Sequence, residues 1–185
     1  FSALIAGSFT SGALAVPYIH PIPLNAVRFV LASALMGVVA FGLARNRAVF
    51  PPAPWRFGVM GLLMAAYFVT QFIALGMTLP VATSAVYTLV PLMTAVTAWL
   101  IVRQRSGPVV LLSLVIAAAG AIWVIFHGDL AALLRFDVGR GELIYFGGCV
   151  AYSIYTPLLR RYSRGEPSLV LRFWTLTASA ICIAL

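Results

Sequence analysis

Tyr67 and Gln71 stand four residues apart inside a stretch, residues 57–102, that carries no charged side chain. On a helix that spacing places both on one face. Gln71 offers a carbonyl acceptor and two N–H donors, and the Tyr67 phenol can donate and accept. Further on, Ser84, Tyr87, Thr88 and Pro91 share a helix face. Pro91 has no N–H, so it frees the carbonyl near residue 87 for another donor. Tyr152, Ser153 and Tyr155 form a third group, and Ser8 stands in the first apolar run. Gathered around one volume, such groups make a pocket with aromatic walls and a few amide and hydroxyl contacts. That chemistry recognises a small amphiphilic solute, such as an amino acid, rather than breaking a bond. The substrate-binding candidates are therefore Tyr67, Gln71, Ser84, Tyr87, Thr88, Tyr152, Tyr155 and Ser8. The competing role for Ser and Thr is to bond their own helix carbonyls or pack between helices, and for Tyr to sit at lipid headgroups. For each Ser or Thr that role is the ordinary one. Gln71 is different, because lipid tails offer its amide no partner.

The elements that must hold these residues follow from composition. Hydrophobic residues make up 63% of the 185 positions, and charged residues 9%; mean hydropathy is +1.05. A soluble domain carries about 25% charge, so this chain cannot cover a water-facing globule and its solvent is largely lipid. The net charge is +8, from twelve Arg against four acids. The Arg residues cluster in short gaps between apolar runs, which argues against a nucleic-acid partner. Cys149 and Cys182 both lie in apolar runs, so neither a disulfide framework nor a metal site is expected. No acid–base or metal-ligating constellation is visible, and neither catalysis nor a cofactor is expected.

A spanning helix needs about 20 apolar residues. The runs give spans at 1–18, 23–43, 56–77, 80–102, 108–126, 142–160 and 167–185, with a loop at 127–141. Continuous rather than alternating hydropathy favours helices over barrel strands. The fold class expected is all-α, a polytopic helical membrane protein. Phe1 and Leu185 both stand in apolar runs, and the chain reads as a fragment. Arg45, Arg47 and Arg56 follow the second span, Arg103 and Arg105 the fourth, and Arg160, Arg161 and Arg164 the sixth. The intervening gaps carry no such excess. Basic loops stay cytoplasmic, which puts the N-terminus in the cytoplasm and the 127–141 loop outside. Stripes of small residues at Ala3, Gly7, Ser11 and Ala15, and at Ser113, Ala117 and Ala121, suit close helix contact.

Pro23, Arg28 and Phe29 recur as Pro167, Arg172 and Phe173 at the starts of the second and seventh spans. An Arg inside a bilayer is costly, so its repetition at one helix position is informative. The repeat unit then contains five helices, and an odd number turns the second unit upside down. Inverted repeats are the architecture of many secondary transporters, with the solute site at the midplane between the halves. Arg28, Pro91 and Arg172 are the structural or gating candidates. Three fates are open to Arg28: snorkelling to the headgroups, bonding carbonyls at a neighbouring helix end, or recognising a substrate carboxylate. His20 and His127 lie at membrane edges, where solvated imidazoles are ordinary.

The residues also resemble a known family. Gly7, Ser8 and Phe9, then Arg28 and Phe29, then Ala74 and Leu75 through Ser84 to Leu89, Val90, Pro91 and Leu92, then Gly120, then Tyr152 to Tyr155 and Leu158 to Arg161, are similar in order and spacing to the EamA-like branch of the drug/metabolite transporter superfamily. The resemblance covers the whole chain. It implies one complete unit over 1–126 and the start of a second over 142–185, about seven of ten spans. It also implies a carrier of small metabolites, often working outward across the inner or plasma membrane. The expected partners are a small-molecule substrate and the lipid bilayer, with no nucleic acid, and a homodimer is a further candidate assembly. A non-transporting scaffold or regulatory subunit is the alternative, followed by an intramembrane enzyme. One departure is that Gln104 stands where the family usually has a Glu after the fourth span.

Overall fold

The computed structural model describes residues 12, 14, 18, 20–43, 53–104, 106–126, 139–163 and 165–184. Ser8, His127, Arg45, Arg47, Arg105, Arg164 and the stripe Ala3, Gly7, Ser11 and Ala15 lie outside the described residues. Seven helices are described. They are α1 (Pro21–Gly37, continued by a π-helix over Val38–Leu43), α2 (Trp55–Leu75), α3 (Pro80–Tyr87), α4 (Val90–Val102), α5 (Pro108–Ile125), α6 (Arg140–Tyr162) and α7 (Ser168–Ala184). The fold is all-α. Four stretches, Pro21–Leu43, Trp55–Leu75, Pro80–Val102 and Pro108–Ile125, are long and apolar enough to cross a bilayer. This is a multi-pass membrane protein.

Proline sets several of the starts. Pro21, Pro80 and Pro108 occupy the first turns of α1, α3 and α5, where a missing N–H costs little. His20 Nδ1 accepts a bond from the Ile22 N–H at 3.4 Å. Inside a helix, proline has the opposite effect. The expected fourth span is not one helix but two, α3 and α4, broken at Thr88 and Leu89. Pro91 has no N–H for the Tyr87 carbonyl, so the turn before it tightens. Thr88 N–H bonds Ala85 O at 3.1 Å, and Leu89 N–H bonds Val86 O at 3.1 Å.

Pro157, buried within α6, leaves the Ser153 carbonyl without its helical donor. The Thr97 hydroxyl of α4 supplies one instead, at 2.6 Å. A helix defect thus becomes an interhelical bond.

Contacts at the helix ends sort the loops. Arg56 at the start of α2 pairs with Glu166 at 3.1 Å and donates to the Tyr162 carbonyl at the end of α6. Arg160 donates to Gln104, and Arg161 to the Ile101 carbonyl at 3.3 Å. So the start of α2, the end of α4 and the end of α6 meet at one face of the bundle. At the other face, Thr78 after α2 donates to Glu142 at the start of α6. Arg56, Arg103, Arg160 and Arg161 all fall at the first face, which is called the basic end below.

α6 packs along α2 on one side and α4 on the other, and α7 fits between α1 and α2. At Gly61 a Cβ would meet Ala178 Cβ at 2.7 Å and the Ser179 nitrogen at 2.8 Å, so α2 and α7 touch backbone to backbone. α5 is peripheral. It buries Ala118 and Ala121, while Ser113 and Ala117 are exposed, so the stripe read as Ser113, Ala117 and Ala121 is rotated by one residue. The outward faces, such as Val27, Val30, Leu31 and Leu35 of α1 and Val109 to Leu112 of α5, are apolar and exposed, as lipid contact requires.

α1 and α7 cross antiparallel. Ser33 Oγ lies 2.6 Å from Thr177 Oγ1, Gly37 rests on the Phe173 ring, and Phe41 meets Phe173 edge-on at 5.0 Å. Ser33 and Thr177 are 144 residues apart, the same offset that relates Pro23, Arg28 and Phe29 to Pro167, Arg172 and Phe173.

Candidate functional site

α2 and α6 approach closely because α6 carries Gly148 at the crossing. A Cβ there would overlap the Thr70 hydroxyl and sit 3.3 Å from the Tyr67 carbonyl. Thr70 cannot swing away freely, since its Oγ1 bonds Ala66 O at 2.8 Å and Tyr67 O at 2.9 Å. The approach lets tyrosines from both helices interleave. Tyr145, Cys149 and Tyr152 fall at i, i+4 and i+7, one face of α6. Tyr67 is 6% exposed, and its hydroxyl pairs with that of fully buried Tyr145 at 3.0 Å. Its ring packs against Tyr152 at 4.7 Å, Phe68 at 5.0 Å and Tyr87 at 6.3 Å. Tyr152 in turn stacks on Tyr155 at 5.8 Å.

Gln71 lies one turn beyond Tyr67 and is 3% exposed; its Oε1 has no hydrogen-bond partner among the described residues. A buried carbonyl left open costs about 1–3 kcal/mol. Asn25 Oδ1 is a second such buried acceptor among the described residues.

A cavity of about 380 Å³ lies at the basic end, lined by Arg160, Ser163, Glu166, Ser168, Leu171 and Arg172 among others. A larger one, about 470 Å³, runs between α4, α5 and α6. It reaches from Gln104, Ser106 and Arg160 up to Pro91, Thr94 and Tyr152. Tyr152 is the residue that joins this cavity to the tyrosine cluster, since it lines the cavity and packs on Tyr67.

The structure thus brings together Tyr67, Tyr87, Tyr152 and Tyr155, with Gln71 one turn away. It does not bring Ser84 and Thr88 to them: Ser84 Oγ bonds Val81 O at 2.8 Å and exposed Thr88 bonds Ala85 O at 2.7 Å, each within its own turn. Arg172 is exposed at the basic end. Arg28 bonds no helix-end carbonyl among the described residues. Its guanidinium lies over the rings of Phe72 at 4.8 Å and Phe68 at 5.7 Å, a cation–π arrangement.

Sequence reasoning missed Tyr145, although its heptad spacing to Tyr152 was available. It also missed Asn25, which is 1% exposed, and the pair of Thr78 and Glu142. The last is a contact across 64 residues that no local pattern encodes. Among the described residues, no cluster of His, Cys, Asp or Glu could hold a metal ion.

The family model of the EamA-like transporter family matches residues 1–126. This chain belongs to the EamA-like transporter family. Over 185 residues the EamA-like chain is 25% identical to a Bacillus subtilis (strain 168) protein described as "Uncharacterized transporter YyaM", covering 99% of this chain and 61% of that protein. The chain thus spans about three fifths of the length of the relative it matches. No solved structure matches it. The match is consistent with the drug/metabolite transporter superfamily.

Proposed function

We propose that this chain forms part of a carrier that moves small metabolites, amino acids or similar solutes, across the cytoplasmic membrane by alternating access, as an exporter or exchanger. The observation that carries the reading is the contact between Ser33 and Thr177. Two residues related by the repeat offset touch each other across antiparallel helices. A residue touches its own counterpart only near a twofold axis. The contact therefore supports two inverted units that pivot about the crossing of α1 and α7. The cavity at Tyr152 supports a solute path in preference to a scaffold without one. The basic end is the cytoplasmic one on this reading, with the N-terminus on the same side.

In such a carrier, Arg56–Glu166 and Arg160–Gln104 tie the cytoplasmic face, and Thr78–Glu142 ties the outer one. Each set must part when its side opens. Tyr67 and Tyr145 hold the aromatic wall rigid, Tyr152 faces the cavity, and the Gln71 carbonyl awaits a donor.

The test is transport in proteoliposomes by the full-length protein, after a metabolite screen has found a cargo. Tyr67→Phe removes the hydroxyl pair and Gln71→Ala removes the open carbonyl. A hydrogen bond to a charged group is worth about 1.5–3 kcal/mol, so Gln71→Ala should cut kcat/KM about tenfold or more. Rates equal to wild type in both variants, for every solute carried, would reject this site.

A further inference from the structure

A third recess lies between α1, α2 and α7. It encloses about 120 Å³ and is lined by Asn25, Arg28, Phe29, Ala32, Met64, Phe68 and Leu176. A cavity of about 150 Å³ accommodates benzene, so this one admits a solute of that size or smaller. Two of its lining groups are polar, and their needs are complementary.

Asn25 is 1% exposed. Its Nδ2 is occupied, donating to Pro21 O at 2.9 Å and Phe68 O at 3.5 Å. Those two bonds fix the amide plane and leave Oδ1 as the free end. Oδ1 is buried and has no hydrogen-bond partner among the described residues. It calls for a donor, and a cationic donor would satisfy it best.

Arg28 stands one helical turn further along α1. The faces of its guanidinium are taken by Phe72 and Phe68. Stacking leaves the N–H edge available, and no described residue accepts a hydrogen bond from it. Stacked guanidinium groups bind carboxylates in the plane of the fork, through two parallel bonds. Side chains three apart on a helix lie about 5–6 Å from one another at Cβ. The recess therefore offers, in one lining, an acceptor for a cation and a donor pair for an anion. Phe29, Ala32, Met64 and Leu176 leave room for a small apolar substituent only.

We infer that Asn25 and Arg28 form a subsite for the zwitterionic head group of a small α-amino acid, with the ammonium on Asn25 Oδ1 and the carboxylate on Arg28. The inference rests on the carrier reading and names its substrate class. The site belongs to the first unit alone. At the repeat offset, Arg172 matches Arg28, but Leu169 stands where Asn25 does. The second unit keeps the cation and lacks the acceptor, so it cannot read the ammonium.

The experiment is equilibrium binding to the full-length protein in detergent, using L-alanine, propionate and ethylamine. The last two are alanine without its ammonium and without its carboxylate. L-alanine should bind at least about tenfold more tightly than either. Asn25→Leu, which copies the second unit, should reduce alanine to the level of propionate. Arg28→Gln should weaken alanine and propionate alike, and Arg28→Lys should restore part of both, which separates lost binding from lost folding. Propionate binding as well as alanine to wild type, or alanine binding unchanged in Asn25→Leu and Arg28→Gln, overturns the subsite. The two readings fail separately. Protein that binds alanine through Asn25 and Arg28 but never moves a solute sinks the carrier and leaves the subsite. Solute transport that continues undiminished in both variants sinks the subsite and leaves the carrier.

Discussion

Replacing Glu166 by Gln should cost the folded protein about 3 kcal/mol. Arg56 is 1% exposed, and the side chain of Glu166 is 17% exposed. The guanidinium keeps the carbonyls of Ala53 and Tyr162 in the variant, but its charge loses the carboxylate at 3.1 Å. Removing one partner of a buried ion pair typically costs about 3–5 kcal/mol. The loop between α6 and α7 would then detach from the start of α2. Thermal unfolding in detergent should show Tm lowered by about 5–10 °C. The double variant Arg56→Met with Glu166→Gln should regain most of the loss, because an apolar side chain of similar length needs no counter-charge. A Tm for Glu166→Gln equal to wild type would show that the pair contributes nothing to the fold.

Gly148→Ala should destabilise the protein by about 1–3 kcal/mol, while Gly147→Ala, one residue away, should be neutral or slightly stabilising. A Cβ on Gly148 overlaps the Thr70 hydroxyl, whereas one on Gly147 meets nothing within 4 Å. The consequence reaches the site. Pushing α6 off α2 parts Tyr145 from Tyr67 and lets water between them. Tm of the two variants, measured side by side, checks the stability claim, and transport by Gly148→Ala checks the coupling to the site. Equal behaviour of the two glycines would mean that the helices do not touch there.

Much of this fold was legible in one sequence because lipid imposes simple rules. Length and hydropathy alone marked an all-helical membrane fold, and Arg28 and Arg172 recur at one sequence offset. The interiors were harder to read. Pro91 announced a defect, but only coordinates show α3 and α4 as separate helices. Pro157 went unremarked because nothing in its own neighbourhood reveals that Thr97, on another helix, takes the orphaned Ser153 carbonyl. Tyr67 and Gln71 stood out because their polarity is conspicuous in an apolar run. Asn25 did not, since it sits near a helix start where Asn is ordinary. Its burial depends on α2 lying alongside, a tertiary fact. The bonds of Ser84 and Thr88 to their own turns illustrate the rule that a hydroxyl in a spanning helix finds the nearest carbonyl first.

The claim on which the rest depends is that the cavity at Tyr152 opens to each side of the membrane in turn. Tyr152→Cys, in a background with Cys149 and Cys182 replaced by Ala, allows a direct measurement. A membrane-impermeant maleimide is applied to right-side-out and inside-out vesicles, with Arg103→Cys marking the basic end. The account predicts that position 152 is alkylated from both sides and that the transported solute protects it, while position 103 reacts from the cytoplasmic side alone. Alkylation of position 152 from one side only, whatever solute is present, would contradict it.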